Sequence, residues 1–176
     1  MSYVAVYPVA TPDTPNKVLT HFDDIAAVLA DHGVRFARWQ PEPVEKGASD
    51  AALIAAYQTQ IDALGYAHVE VLRVTGDHPQ NAELRAQGLH ERRCKEDEVR
   101  FFIAGQGQFG LHIGDYVYAV RCEKNDLLVI PAEVAHWFDR GENPHFVALR
   151  FFNSVDGCAP ELTGDSIAAR FPGLDD

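Results

Sequence analysis

The second half of the chain is dominated by short apolar segments that are separated by turn residues. Glycine, asparagine and aspartate bound each of these segments, which include Val99 to Ala104, Gln108 to Ile113, Tyr116 to Arg121 and Leu127 to Ile130. Many short strands at close spacing are typical of a small antiparallel barrel or jelly roll. We therefore predict a mainly β fold whose barrel core covers about residues 66–152.

The chain before this region has the spacing of helices. Phe22, Ile25 and Leu29 recur at helical intervals, and a second helix is predicted between Ser49 and Gly65. We expect these helices and an opening strand to pack outside the barrel. The local patterns predict four further elements, namely an opening strand at Tyr3 to Tyr7, a helix near residues 82–87, a short C-terminal helix near residues 165–170, and a hairpin turn at Gly105 to Gly107.

Composition limits the classes of protein to which the chain can belong. Its 176 residues are enough for one domain, residues 1–176, that needs no disulfide to hold its core. Fifteen basic against 26 acidic residues give a net charge of −11, which disfavours nucleic acid as a partner. The sequence has neither a long apolar run nor a basic, hydrophobic leader, so we expect no membrane partner and a cytoplasmic location. The oligomeric state cannot be predicted from these features.

Two segments resemble the metal-binding motifs of the cupin superfamily. Glu98 is followed after six residues by Gly105, and Pro131 precedes His136 at the spacing of the second cupin motif. In that superfamily two histidines precede the glutamate, and here Arg92 and Cys94 stand at their positions. The resemblance implies a cupin, in which these residues come together inside the barrel.

A closer resemblance is to bacterial acireductone dioxygenase. It rests on the sequences Glu-Asp-Glu-Val-Arg-Phe-Phe from Glu96, Leu-His-Ile-Gly-Asp from Leu111, His-Trp-Phe-Asp from His136, and Leu-Thr-Gly-Asp-Ser-Ile-Ala from Leu162. That family binds iron or nickel through three histidines and a glutamate, and it oxidises an acireductone in methionine salvage. The resemblance implies Glu98 and His136 as metal ligands, and it implies Arg100, Phe101 and Phe138 as residues that contact substrate.

Arg92 admits three interpretations, because a guanidinium cannot be deprotonated and so cannot be a metal ligand. It could pair with Glu98 and replace the charge of the lost metal. It could instead bind a carboxylate or phosphate of the substrate and so take part in catalysis. The third interpretation is that Arg92 turns to solvent and a metal is retained.

Cys94 also admits three interpretations. Its thiolate could be a third metal ligand beside Glu98 and His136. It could act as a nucleophile or redox group beside Arg92, or it could be a small buried filler. The acireductone dioxygenase family commonly has a tryptophan at the position of Cys158, near the mouth of the pocket. Cys158 is therefore a candidate substrate contact, and the two thiols could form a bond or share a metal.

These patterns lead to two main hypotheses of different classes. The first is a diverged small-molecule enzyme of oxygenase type, acting on an enediol-like substrate with one iron or nickel ion, or another transition metal if Cys94 is a ligand. The second is a metal-free cupin that binds a ligand or has a regulatory role. An ordinary methionine-salvage dioxygenase is disfavoured, because two of the four expected ligands are replaced.

Overall fold

The computed structural model describes residues 1–176, apart from the side chain of Cys158. The strands are β1 (Tyr3–Pro8), β2 (Lys17–Leu19), β3 (Arg35–Arg38), β4 (His68–Val74), β5 (Arg92–Arg93), β6 (Glu98–Ile113), β7 (Tyr116–Glu123), β8 (Asp126–Ile130), β9 (Ala135–Asp139), β10 (Phe146–Phe152) and β11 (Glu161–Leu162). The helices are α1 (Phe22–Ala30), α2 (Asp50–Ala56), α3 (Gln58–Leu64), α4 (Asn81–Gly88) and α5 (Val155–Cys158). The predicted mainly β fold is confirmed.

Two antiparallel sheets share the long strand β6. One sheet has the order β11, β5, β9, β6, β7, β1, β2. In the other, β6 lies between β10 and β8, with β4 beyond β10 and β3 beyond β8. The first half of β6 pairs with β8 and β10, and the second half pairs with β7 and β9. The opening strand therefore extends a sheet through β7 instead of packing outside it.

Gly105 marks the point at which β6 passes from one sheet to the other. The predicted hairpin turn at Gly105 to Gly107 is wrong, because β6 continues without interruption from Glu98 to Ile113. Gly105 has φ of +76° and lies opposite Phe146, whereas the next residue, Gln106, pairs with Glu123. A left-handed residue bends the strand here, and glycine adopts that conformation without steric cost.

Alternation along the strands separates two layers of core. Phe102 and Phe109 of β6 contribute to the core between the sheets. Val99, Phe101 and Ile103 point to the opposite face of β6 and pack under α2 and α3. Successive side chains of a strand point to opposite faces, so the separation of Phe102 from Val99, Phe101 and Ile103 follows from alternation along β6. Phe109 lies beyond Gly105, where β6 has passed to the other sheet and the alternation no longer continues in step.

The helices partly match their predictions. α1 begins at Phe22 as expected, but the second predicted helix is two helices that meet at the buried Tyr57. Ser49 caps α2 by accepting a hydrogen bond from the amide of Ala52, at 3.1 Å. The last predicted helix is a 3₁₀ turn at Ile167–Arg170. None of the described helices has the length and apolar character needed to cross a membrane.

Asp139 joins β9 to α4 and to the C-terminal segment. Its carboxylate accepts hydrogen bonds from Arg85 Nε at 2.9 Å, from the Gly141 amide at 2.9 Å and from the Leu174 amide at 2.9 Å. Burial alone would raise the pKa of Asp139, but the hydrogen bonds from Arg85, Leu174 and Gly141 outweigh it and hold the pKa below its usual range. The ionised carboxylate therefore stabilises the folded chain.

An Asp139→Asn variant is expected to lower the free energy of unfolding at pH 7 by about 2 kcal/mol, because it weakens charge-assisted hydrogen bonds in a buried position. The pKa of Asp139 is lower in the folded chain than in the unfolded chain, so its carboxylate contributes its full stability at pH values above the unfolded-state pKa. That stability is lost as pH falls through the folded-state pKa. The difference between the two proteins should therefore be constant from pH 8 to about pH 5 and should narrow below about pH 4. Urea unfolding across this range measures it, and a difference independent of pH down to pH 3 would contradict the assignment.

Candidate metal centre

Three side chains capable of binding a metal come together inside the fold. A ligand atom of each of Cys94, Glu98 and His136 lies within 4.8 Å of the others. Cys94 follows β5, Glu98 begins β6 and His136 lies in β9. Arg92 pairs with His136 in the register of β5 and β9, so residues 92 and 136 point to the same face, and position 94 follows by alternation.

His136 is held in the tautomer that a metal ligand needs. Its Nδ1 lies 2.8 Å from the carbonyl oxygen of Val134, and a carbonyl can only accept, so Nδ1 carries the proton. Burial lowers the pKa of His136 from its usual value, although the Val134 carbonyl and Glu98 act in the opposite direction. The imidazole is therefore neutral, with the lone pair on Nε2. A histidine whose second nitrogen is fixed by a carbonyl is the usual arrangement for a metal ligand.

Glu98 is paired with two arginines. Arg100 Nη2 donates to Glu98 Oε1 at 2.8 Å, and Arg150 Nε lies 3.8 Å from the same oxygen. Glu98 is only 9% exposed, so these contacts supply the charge compensation that a buried carboxylate requires. Because both guanidinium groups approach Oε1, a metal would be bound through Oε2.

Arg92 does not form the predicted ion pair with Glu98. Its Nε donates to the carbonyl of His90 at 3.1 Å and its Nη2 donates to the carbonyl of Gln87, so the guanidinium is bound at the C-terminal end of α4. Carbonyl groups at a helix C-terminus are without partners in the helix and favour a cation. The interpretation in which Arg92 replaces the metal's charge at Glu98 is therefore wrong. Arg92 nevertheless lines the cavity beside the three side chains.

A cavity of about 220 Å³ opens onto these side chains. Phe138 forms part of its wall, and the Arg100 guanidinium lies over the Phe138 ring at 4.8 Å and over the Phe109 ring at 5.2 Å. These contacts fix the position of Arg100 between an apolar wall and Glu98. The remaining lining residues are Glu70, Leu72, Arg92, Cys94, His136, Arg150 and Pro160.

Phe101 does not reach the cavity. It is fully buried on the other face of β6, with its ring centroid 4.4 Å from that of Trp39 and 5.0 Å from that of Tyr57. Its predicted contact with substrate is therefore wrong. Adjacent residues of a strand face opposite sides, so Arg100 and Phe101 cannot both line one cavity. The side chain of Cys158 lies outside the described part of the chain.

Arg150 and Glu70 also belong to the site, although the sequence analysis named neither of them. Arg150 pairs with Arg100 in the register of β10 and β6, and its Nη1 donates to Glu70 Oε1 at 3.0 Å. An arginine inside the apolar segment Phe146–Phe152 was a signal for this role, because a charge within a buried strand requires a partner.

Two antiparallel sheets that share one strand, with Cys94, Glu98 and His136 inside them, define a cupin fold with a candidate metal site. The model of the ARD/ARD′ family matches residues 5–159, and the chain belongs to this family. It is 59% identical, over the full length of both chains, to acireductone dioxygenase of Pseudomonas syringae pv. tomato. It is 54% identical, again over both full lengths, to acireductone dioxygenase of Pseudomonas aeruginosa.

A solved structure from Bacillus anthracis has the same fold. It is described as acireductone dioxygenase with a cadmium ion in its active centre, and it matches with a TM-score of 0.80 at 23% identity. The match covers 92% of this chain and 98% of the other. At this identity the likeness establishes the fold, and the predicted cupin is confirmed.

Proposed function

We propose that the chain is an enzyme of the acireductone dioxygenase family whose metal site has been altered to Cys94, Glu98 and His136. The observation that carries the proposal is the convergence of these three ligand atoms within 4.8 Å at the wall of a cavity. The relatives that are named acireductone dioxygenase support an oxygen-rich, enediol-like substrate. Two replaced ligand positions argue against the unaltered methionine-salvage reaction.

The residues present fit a transition metal. Ligand atoms around a four-coordinate metal lie about 3.5 Å apart, so small side-chain rotations within the observed 4.8 Å would bring all three into range. A neutral imidazole, a carboxylate and a thiolate together suit borderline and soft divalent ions. Three protein ligands leave positions open, where a bound metal would polarise substrate oxygens as a Lewis acid.

The chain's own residues would bind and orient the substrate. Arg100 is held between Glu98 and the rings of Phe109 and Phe138, so its guanidinium is preorganised to stabilise a negative oxygen in the cavity. Phe138 supplies an apolar wall that excludes water from one side of the substrate. Arg150 supports Glu98 and also pairs with Glu70, which places it at the edge of the same cavity.

A metal-free binding protein is the second candidate. It is favoured by the contacts of Arg100 and Arg150 with Glu98, because two guanidinium groups already compensate the buried carboxylate. In this candidate the cavity would hold a ligand without chemistry. The two candidates differ in metal content, so that measurement separates them.

Elemental analysis of untagged protein, purified under reducing conditions, is expected to find about one transition-metal ion per chain. A Cys94→Ser variant should lose most of it, because an alcohol is a far weaker ligand than a thiolate for such ions. Cys122→Ser is the matched control, since Cys122 is also buried but lies in the core between the sheets, and it should keep its metal. Folded parent protein that contains no metal, and takes up none from iron or nickel salts, would support the metal-free candidate instead.

A further inference from the structure

A second cavity adjoins the candidate metal centre and is lined by arginines. Its volume is about 420 Å³, and it shares Arg92, Arg100, Leu72 and Phe138 with the first cavity. Four arginines contribute to its wall, and none of its described lining residues is acidic. These arginines are Arg73, Arg92, Arg100 and Arg140.

Among the described residues Arg92 and Arg140 form no ion pair, and Arg100 forms one, with Glu98. Arg73 is paired with Asp50 at 2.8 Å, so its charge is neutralised. Arg92 donates to backbone carbonyls, and Arg100 donates to Glu98 through Nη2 only. The Nε atoms of Arg100 and Arg140 are buried and have no hydrogen-bond partner among the described residues. Buried donors on charged groups are costly when they are unpaired, so this wall favours an anion.

The electrostatic surroundings of Arg140 agree with this geometry. Burial lowers the pKa of Arg140, and the charge of Arg100 lowers it further. Arginine stays protonated in proteins, so the mutual repulsion is retained when the cavity is empty. The chain as a whole carries −11, so the local concentration of cations here is a departure from the rest of its surface.

We propose that Arg92 and Arg140 bind the phosphate group of a phosphomonoester substrate, whose carbon body reaches past Arg100 and Phe138 to the candidate metal centre. This inference rests on the proposed function for the position of the reacting end, but the anion site itself does not require the metal. One guanidinium satisfies a carboxylate through two parallel hydrogen bonds, whereas a phosphate dianion has three terminal oxygens and suits several guanidinium groups. Leu72 and Phe138 line both cavities and supply the apolar path between their two ends.

The test is calorimetric titration of full-length, chelator-treated protein with inorganic phosphate and, separately, with malonate. Phosphate is expected to bind at one site and more tightly than malonate. Arg140→Gln and Arg92→Gln should each weaken phosphate binding at least tenfold. Arg140→Lys should weaken it less than Arg140→Gln does. Arg93→Gln removes the same charge from an exposed neighbouring side chain and should change the affinity less than twofold.

Each outcome tests the anion site independently of whether the protein binds a metal. Absence of phosphate binding, or binding that Arg92→Gln and Arg140→Gln leave unchanged, would overturn the anion site even if the protein contains metal. Tighter binding of malonate would overturn the assignment of phosphate. Phosphate binding that depends on both arginines, in a protein that never takes up metal, would support the anion site while the proposed metalloenzyme fails.

Discussion

An Arg92→His, Cys94→His double variant is expected to bind nickel(II) or ferrous iron at least about a hundredfold more tightly than the parent, since even partners outside the ligand shell change metal affinity by 10–100-fold. Residue 92 lies opposite His136 in the pairing of β5 with β9, and residue 94 is on the same face. Imidazoles at both positions would therefore point toward Glu98 and His136 and complete a set of three histidines and one glutamate. Titration with a competing chelator measures the affinity, and oxygen uptake with an acireductone measures recovered dioxygenase activity.

The matched control places two histidines on the opposite face of the same segment. Arg93 and Lys95 are exposed, so an Arg93→His, Lys95→His variant adds the same ligand types without directing them at the site. It should leave metal affinity near that of the parent. Equal gains in the two variants, or no gain in the first, would show that residues 92 and 94 do not face the centre as the strand register requires.

Strand parity, the alternation of successive side chains between the two faces of a strand, explains which parts of the site could be predicted from the sequence. The resemblance to the cupin motifs implied that Cys94, Glu98 and His136 would meet, and the structure brings their ligand atoms together. Their role as metal ligands stays a prediction. The same parity argument excludes Phe101 from the cavity, because Arg100 occupies the inward position next to it. That error came from the family resemblance and not from the pattern of the strand.

The partners of long side chains could not be predicted in this way. Parity places the Cβ atom of Arg92, but its guanidinium extends far enough to reach either Glu98 or the end of α4. The choice depends on the carbonyls of Gln87 and His90, whose position is set by how α4 packs on β9. Arg150 likewise acquires its role from the pairing of β10 with β6, which local patterns do not specify.

The backbone conformation at Gly105 likewise could not be predicted from the local sequence. Its sequence context, with Gly107 two residues later, favours a turn, and turn residues do predict most chain reversals. Here the residues on either side pair with different strands, so the left-handed conformation of Gly105 bends one strand instead of reversing it. The barrel needs such a corner because β6 belongs to both sheets.

A Gly105→Ala variant is expected to destabilise the fold by about 3 kcal/mol or more, the sum of about 1–2 kcal/mol for a left-handed non-glycine residue and a similar cost for overpacking. An added Cβ would lie 2.0 Å from the His145 carbonyl oxygen and 2.7 Å from the Phe146 Cα. Both are backbone atoms at the start of the neighbouring strand β10. Neither can move without breaking the pairing of β10 with β6. At about 2–4 °C per kcal/mol for a chain of this size, the melting temperature should fall by about 10 °C.

A Gly114→Ala variant distinguishes the steric clash at Gly105 from the backbone strain of its left-handed conformation. Gly114 has φ of +60°, close to that of Gly105, but a Cβ there would meet no atom within 4 Å. This variant should therefore lose only about 1–2 kcal/mol, the cost of the left-handed conformation alone. Thermal and urea unfolding in the presence of a chelator compares the two without a contribution from metal binding. Equal losses would mean that β10 yields to the added methyl group, and that the corner of β6 is less tightly packed than its contacts indicate.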